Sequence, residues 1–237
     1  MNLHSVVENI DYYIPHFQIS NEAKLLGLHG CILLIRNILN CTDHTAVHSY
    51  VQKTVHEVLS SITRETINGH PYLLGYRELH TSIGKSNKKF IASSENLLSY
   101  VLKKQNLPSI NAIVDLYNAV SIKYMLSMGG HDMDKIEGGM HLRISKGKEM
   151  FNGLGSEVPI ELPQGEYGYF DQSGDVLCRM DVKQSIKTLI DLKTSNCLLV
   201  LQGNAAMPWE HVVEAANEIS AQIRAHFFTT NIDRIDF

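Results

Sequence analysis

Apolar positions along this chain follow two periods, and the change from one to the other divides it. The clearest helical stripe is Ile113, Leu116, Val120 and Tyr124, within residues 111–134. A second stripe, Val47, Val51, Val55, Val58 and Ile62, predicts a helix that starts behind a Thr42-Asp43 cap and runs to about residue 65. A third, Trp209, Val212, Ala216, Ile219, Ile223 and Phe227, follows Pro208, a favoured first helical position. Ser93-Ser94 opens a predicted helix over 95–105 that ends before Pro108, and residues 21–40 have the composition of a largely buried helix. After Gly138-Gly139 the period becomes two: Met140, Leu142 and Ile144 alternate with His141 and Arg143. Strands are predicted over 166–171 and 176–181, flanking a hairpin turn at Gln172-Ser173-Gly174-Asp175, and over 197–202. Asn68-Gly69-His70-Pro71 reads as a breaker, with an irregular or β segment to Gly75 and a loop at Gly84. Helices at both ends of a central β region predict a single α+β domain of mostly short strands packed with helices, with an N-terminal helical extension over 1–65.

Composition adds bounds to this picture. The 237 residues are 44% hydrophobic, enough for one substantial core. No run of ~18 apolar residues exists, since the longest, residues 25–39, is interrupted by His29, Gly30, Arg36 and Asn37. The start, MNLHSVVENIDYY, lacks a basic segment followed by an apolar one, so no secretory signal is expected. The four cysteines, Cys31, Cys41, Cys178 and Cys197, lack C-x-x-C spacing. That argues for reduced thiols in a cytoplasmic protein and against a disulfide scaffold or a zinc site. Net charge is −4, yet lysines cluster at 85, 88 and 89, at 103 and 104, and at 146 and 148, enough for a local basic patch.

Three constellations carry possible chemistry. Asn111, Asp115 and Asn118 share a second face of the central helix, where two amides and a carboxylate suit a polar ligand or a solvated surface. That helix stops at Ser127-Met128-Gly129-Gly130, and a glycine pair lets backbone N–H groups approach a ligand. His44 and His48 have metal-ligand spacing but no glutamate between them, which favours a wet helix face. In the block from Gly165 to Asp181, Cys178 reads as a small buried hydrophobe, while Glu166 and Arg179 are harder to assign to plain surface. No nucleophile–base motif is visible.

The run from Pro108 to Asn118, followed by Gly129-Gly130-His131-Asp132-Met133-Asp134-Lys135-Ile136, resembles the editing domain of the bacterial phenylalanyl-tRNA synthetase β subunit, and its free-standing homologues more closely. Those homologues carry a similar G-E-x-x-Y-x-D followed by C-R, matched here by Gly165, Glu166, Tyr169, Asp171, Cys178 and Arg179. The resemblance begins near Tyr76 and implies an editing-like unit over about 76–235. It implies hydrolysis of mischarged tRNA, with tRNA as partner and no cofactor; the missing apolar run argues against a membrane, and no metal is expected. Its implied catalytic residues are His131 and Asn118. Its implied substrate-binding residues are Asn111, Asp115, Gly129, Gly130, Asp132, Arg143, Glu166, Tyr169 and Arg179. An aminoacyl ester is already activated, so a fixed water and donors to the oxyanion can supply the rest. The chain departs from the synthetase pattern in two places: a pocket histidine aligns with Gly129, and a glutamate that recognises tyrosine aligns with Val200. Specificity for tyrosine is therefore not implied. A non-catalytic tRNA-binding or amino-acid-sensing module with the same pocket remains an alternative, and a metal hydrolase on His44 and His48 a third.

Overall fold

The computed structural model describes residues 16–227 and 231–237; the segment read for a secretory signal lies outside them. The chain opens with β1 (Phe17–Ile19), α1 (Asn21–Leu25), β2 (His29–Arg36), α2 (Thr45–Ser61) and α3 (Arg64–Gly69). Three further helices follow, α4 (Pro71–Ser82), α5 (Ser93–Lys104) and α6 (Ala112–Tyr124), then β3 (Ser127–Asp132) and a single 3₁₀ turn, Met133–Lys135. Next come β4 (Met140–Ile144), β5 (Met150–Phe151), β6 (Ile160–Glu161), β7 (Tyr167–Asp171), β8 (Val176–Arg179) and β9 (Lys183–Gln184). The chain closes with β10 (Cys197–Gly203), α7 (Trp209–His226) and β11 (Asn231–Asp236). The class is α+β, as the changing period predicts.

Two sheets and a helical layer stack on one another. The four-stranded sheet has the order β11-β2-β10-β3 and is antiparallel throughout. The five-stranded sheet, β1-β4-β7-β8-β9, is antiparallel except where β1 runs parallel to β4. Side chains alternate across a strand, and on β2 this sorts Cys31, Leu33 and Ile35 into one core with α6 and α7. Ile32 and Leu34 face the other way, into a core with Leu142, Tyr167, Tyr169 and Leu177 of the five-stranded sheet. On β10, Leu199 and Leu201 face the helices while Leu198 and Val200 face the second sheet. The four-stranded sheet is thus the middle layer.

This placement corrects the helix expected over 21–40. Only Asn21–Leu25 is helical, and His29–Arg36 is an inner strand. A strand buried on both faces shows no alternation, so its apolar run cannot be told from a buried helix by period. The breaker at His70-Pro71 is also corrected: it starts α4. The His70 ring accepts from the Tyr72 N–H at 3.3 Å, and Pro71 takes the first helical position, where its missing N–H costs nothing.

Helix α6 is buried along residues 112–122. Asn111 caps it, accepting from the Val114 N–H at 3.1 Å. Ile113, Leu116 and Val120 join the core against the sheet, while Ala119 and Ile122 enter a separate helical core with Val55, Val58, Leu98 and Val101. The helix ends earlier than expected, because Met125 adopts a left-handed conformation (φ 50°). The Ser127–Asp132 segment read as helix end and glycine turn is the edge strand β3. All four cysteines are unpaired, and no helix among the described residues is long and apolar enough to cross a membrane.

Candidate ligand cavity

A cavity of about 240 Å³ opens where α5 and α6 meet β3, β10 and the five-stranded sheet. Pairing of β3 with β10 sets Ser127 opposite Gln202 and Gly129 opposite Val200, and these four residues all line it. Val114, Tyr117 and Asn118 from α6 form one wall, and Tyr169, Cys178 and Met180 the opposite one. The volume far exceeds the ~10–15 Å³ that one water needs, and falls below the ~300–1,000 Å³ of drug-sized sites. An amino-acid-sized ligand fits that range.

The two glycines of β3 do different work. A Cβ on Gly129 would meet nothing within 4 Å, so its missing side chain is open cavity. A Cβ on Gly130 would come within 2.7 Å of Ile190 and 2.9 Å of Tyr117. Gly130 therefore lets the sheet approach α6, and it is not among the lining residues.

Two amide side chains belong to the wall of this space. Gln202 is 2% exposed; its Oε1 accepts from the Tyr169 hydroxyl at 2.7 Å, while its Nε2 has no partner. Asn118 is 8% exposed, and its side chain makes no hydrogen bond among the described residues. A buried polar group left unmade costs about 1–3 kcal/mol. Asn118 is the one whose amide is reached from the cavity.

The titratable groups are set by burial and one strong pair. His131 lines the cavity, with Nδ1 2.7 Å from Thr188 Oγ1, and burial pushes its pKa down to about 4. It is neutral at pH 7. Burial likewise pushes the Cys178 thiol up to about 12, so it is no nucleophile. Asp181 accepts from Tyr167 at 2.7 Å, pairs with His80 Nε2 at 2.6 Å, and takes the Ser127 hydroxyl at 3.3 Å. Burial opposes charging of His80, but the Asp181 carboxylate outweighs it and holds the pKa above the usual range. This raised pKa makes the stabilisation full below ~6.5, the unfolded value, and lost as pH rises through the folded one. His80→Gln is therefore expected to destabilise by about 1.5–3 kcal/mol at pH 6. The gap to the parent should shrink by pH 9 in chemical denaturation.

Of the residues singled out in the sequence, Asn118, Gly129, His131, Tyr169, Cys178 and Val200 line the cavity. The others are engaged elsewhere. Asn111 is the α6 cap and donates to the Ile190 carbonyl at 3.2 Å. Asp115 accepts from Ser109 Oγ and the Ile110 N–H, each at 2.7 Å, on the far side of the helix start. Asp132 caps the 3₁₀ turn and accepts from Thr194 Oγ1 at 2.7 Å. Arg143 pairs with Glu149 and stacks 3.6 Å over the Phe170 ring. Glu166 and Arg179 form a buried two-pronged ion pair at 2.6 and 2.7 Å, joined by Lys85. The motif that includes them thus holds the β7–β8 hairpin together, and Asp171 closes its turn by accepting from Ser173 Oγ and the Asp175 N–H.

The expected metal spacing is occupied by other bonds. His44 caps α2, its Nε2 lying 3.0 Å from the His226 carbonyl, and His48 pairs with Gln52. Among the described residues the one acidic cluster tight enough for a cation is Glu137, Asp171 and Asp175. Lys187 bridges all three at 2.6–3.1 Å. Sequence reasoning missed Gln202, Asp181, Ser127, Gln184 and Asn96 of the lining. Only Gln202 had a signal: a lone amide two residues from Val200, hence on the same face of an apolar strand.

Fold and cavity together define a mixed α+β domain with a small, partly polar pocket. Residues 75–222 match the family model of the B3/4 domain, and the chain belongs to that family. The match contains both stretches that carried the resemblance to the synthetase editing domain, and that resemblance holds. Among solved structures, the fold is similar to an N-terminal fragment of the phenylalanyl-tRNA synthetase β subunit from Pyrococcus horikoshii, at TM-score 0.55 and 11% identity. That likeness covers 94% of this chain, which spans 54% of the fragment. No match is found among curated proteins.

Proposed function

We propose that this chain is a stand-alone aminoacyl-tRNA deacylase that hydrolyses the ester of mischarged tRNA. Family membership supports the reading, and the observation that carries it is the amino-acid-sized cavity walled by the Asn118 amide, which makes no side-chain hydrogen bond among the described residues. Water adds to the ester carbonyl, the bond to the ribose oxygen breaks, and that oxygen leaves with a proton. The ester is intrinsically reactive, so positioning and oxyanion donors suffice. Asn118 offers an amide donor, and neutral His131, braced by Thr188, orients the water. Asp181 is the carboxylate that lines the cavity, held by His80, Tyr167 and Ser127, while Asp115 and Asp132 are engaged elsewhere. Exposed Lys88, Lys89, Lys103 and Lys104 are available to phosphates, whereas Lys85 is spent on Glu166.

One observation favours a second reading. A histidine with pKa about 4 is a weak base at pH 7, which suits a non-catalytic amino-acid-sensing or tRNA-docking module. A panel of mischarged tRNAs separates the two, since only the deacylase releases amino acid. Asn118→Ala is expected to lower hydrolysis roughly ten- to a hundredfold, the kinetic equivalent of about 1–3 kcal/mol. The melting temperature should hold or rise, because alanine favours helix. Hydrolysis at the parental rate would remove Asn118 from the site.

A further inference from the structure

Helix α2 and the connection from α5 to α6 enclose a second cavity of about 640 Å³, within the ~300–1,000 Å³ of small-molecule sites. Its floor is apolar, with Val55 and Leu107 buried and Val51 beside them. One rim is a ridge of exposed side chains a helical turn apart on α2: His48, Gln52 and His56. Gln52 Nε2 lies 2.8 Å from His48 Nε2. An amide nitrogen only donates, so the neutral ring accepts there, Nδ1 keeps its proton, and Gln52 Oε1 is left as an acceptor. On the opposite rim, Gln105 spends its Nε2 on the Leu102 carbonyl at 3.0 Å, and Asn106 makes no side-chain hydrogen bond among the described residues. Lys103 and Lys104, immediately before, are exposed and form no ion pair among the described residues.

Unpaired RNA bases are recognised by stacking on aromatic rings, imidazole included, and by hydrogen bonds to their edges, while cations follow the backbone. We propose that this groove binds an unpaired nucleotide of RNA. The base lies on the apolar floor against the His56 ring, Asn106 and the His48–Gln52 pair read its edge, and its phosphate meets Lys103 and Lys104. An apolar peptide would cover the floor but leave both lysines uncompensated, and inorganic phosphate would use the lysines but none of the floor. The groove shares a wall with the ligand cavity: Ile110 and Val114 line the cavity, Ser109 and Asp115 the groove. Asp115 ties that wall by accepting from Ser109 Oγ and the Ile110 N–H. The α2 side lies outside the residues matched by the B3/4 family model, so half of the groove is built by a segment beyond that match. The proposal rests on RNA as the partner in the reading above and not on hydrolysis.

The test titrates the full chain with the four nucleoside 5′-monophosphates and with the matching nucleosides, by calorimetry. In parallel, a short unstructured RNA carrying 4-thiouridine is photo-crosslinked and the adducts are mapped. At least one monophosphate should bind, about fivefold or more tighter than its nucleoside. Cross-links should fall within residues 48–59 or 105–109. His56→Ala should weaken binding about tenfold, the loss of one stacking contact. Lys103→Gln with Lys104→Gln should erase the advantage of the monophosphate. Asn106→Trp, at an exposed residue without positive φ, should fill the groove and abolish binding and cross-linking at an unchanged melting temperature. Absence of binding, cross-links elsewhere, binding that His56→Ala and Asn106→Trp leave intact, or self-association of the chain that Asn106→Trp abolishes overturns the proposal. Nucleotide binding in the groove with no hydrolysis of any charged tRNA upholds it and rejects the deacylase reading. Hydrolysis without binding in the groove does the reverse.

Discussion

Gly129→Leu is expected to reduce ligand binding and hydrolysis by at least about a hundredfold while leaving the melting temperature unchanged or higher. Gly129 sits in a strand without positive φ, and a Cβ there meets nothing within 4 Å. A larger side chain therefore enters the cavity without backbone strain, fills space beside Val200, and removes the entropy cost of a strand glycine. Most substitutions that abolish activity also lower stability; this one separates the two. Thermal denaturation beside the charged-tRNA assay checks it. A fully active, stable variant would show that substrate does not occupy this cavity.

Arg179→Ala is expected to lower stability by about 3–5 kcal/mol, a fall of roughly 6–20 °C in melting temperature. Glu166 is fully buried, and Arg179 supplies two of its hydrogen bonds. Burial opposes its ionisation, but Arg179 and Lys85 outweigh this and hold its carboxyl below the ordinary range. Without Arg179 an ionised group stays buried with Lys85 alone. The sign fixes the pH window: a depressed folded pKa stabilises above the unfolded value of ~4.3, and the benefit fades as pH falls through the folded one. The gap between parent and variant should accordingly narrow in acid. A gap that widens in acid would mean that Glu166 is not the ionised partner.

The elements that showed in the sequence are those with a sharp boundary of cap, turn or proline residues. Helices α5, α6 and α7, the β7–β8 hairpin and β10 all carried a period or a turn signal. Strand β2 did not, because Ile32, Leu33, Leu34 and Ile35 are buried on both faces. Helix α4 was hidden by a proline that begins helices as readily as it ends them. The cavity was half legible for a similar reason. Asn118, Gly129 and His131 lie in one stretch, but Gln202 and Asp181 arrive by strand pairing across long separations, which residue spacing does not encode. The departures from the synthetase pattern at Gly129 and Val200 read as two separate changes. The two residues are neighbours, facing each other across β3 and β10.

Helix α6 belongs to two cores at once, with Ile113, Leu116 and Val120 against the sheet and Ala119 and Ile122 against α2 and α5. Lifting it would expose both cores together, so it has no small-scale opening of its own. Its amides are expected to be among the slowest to exchange with solvent hydrogen. Asn118 and Tyr117 ride on this segment, and the pocket wall they form is expected to be preformed.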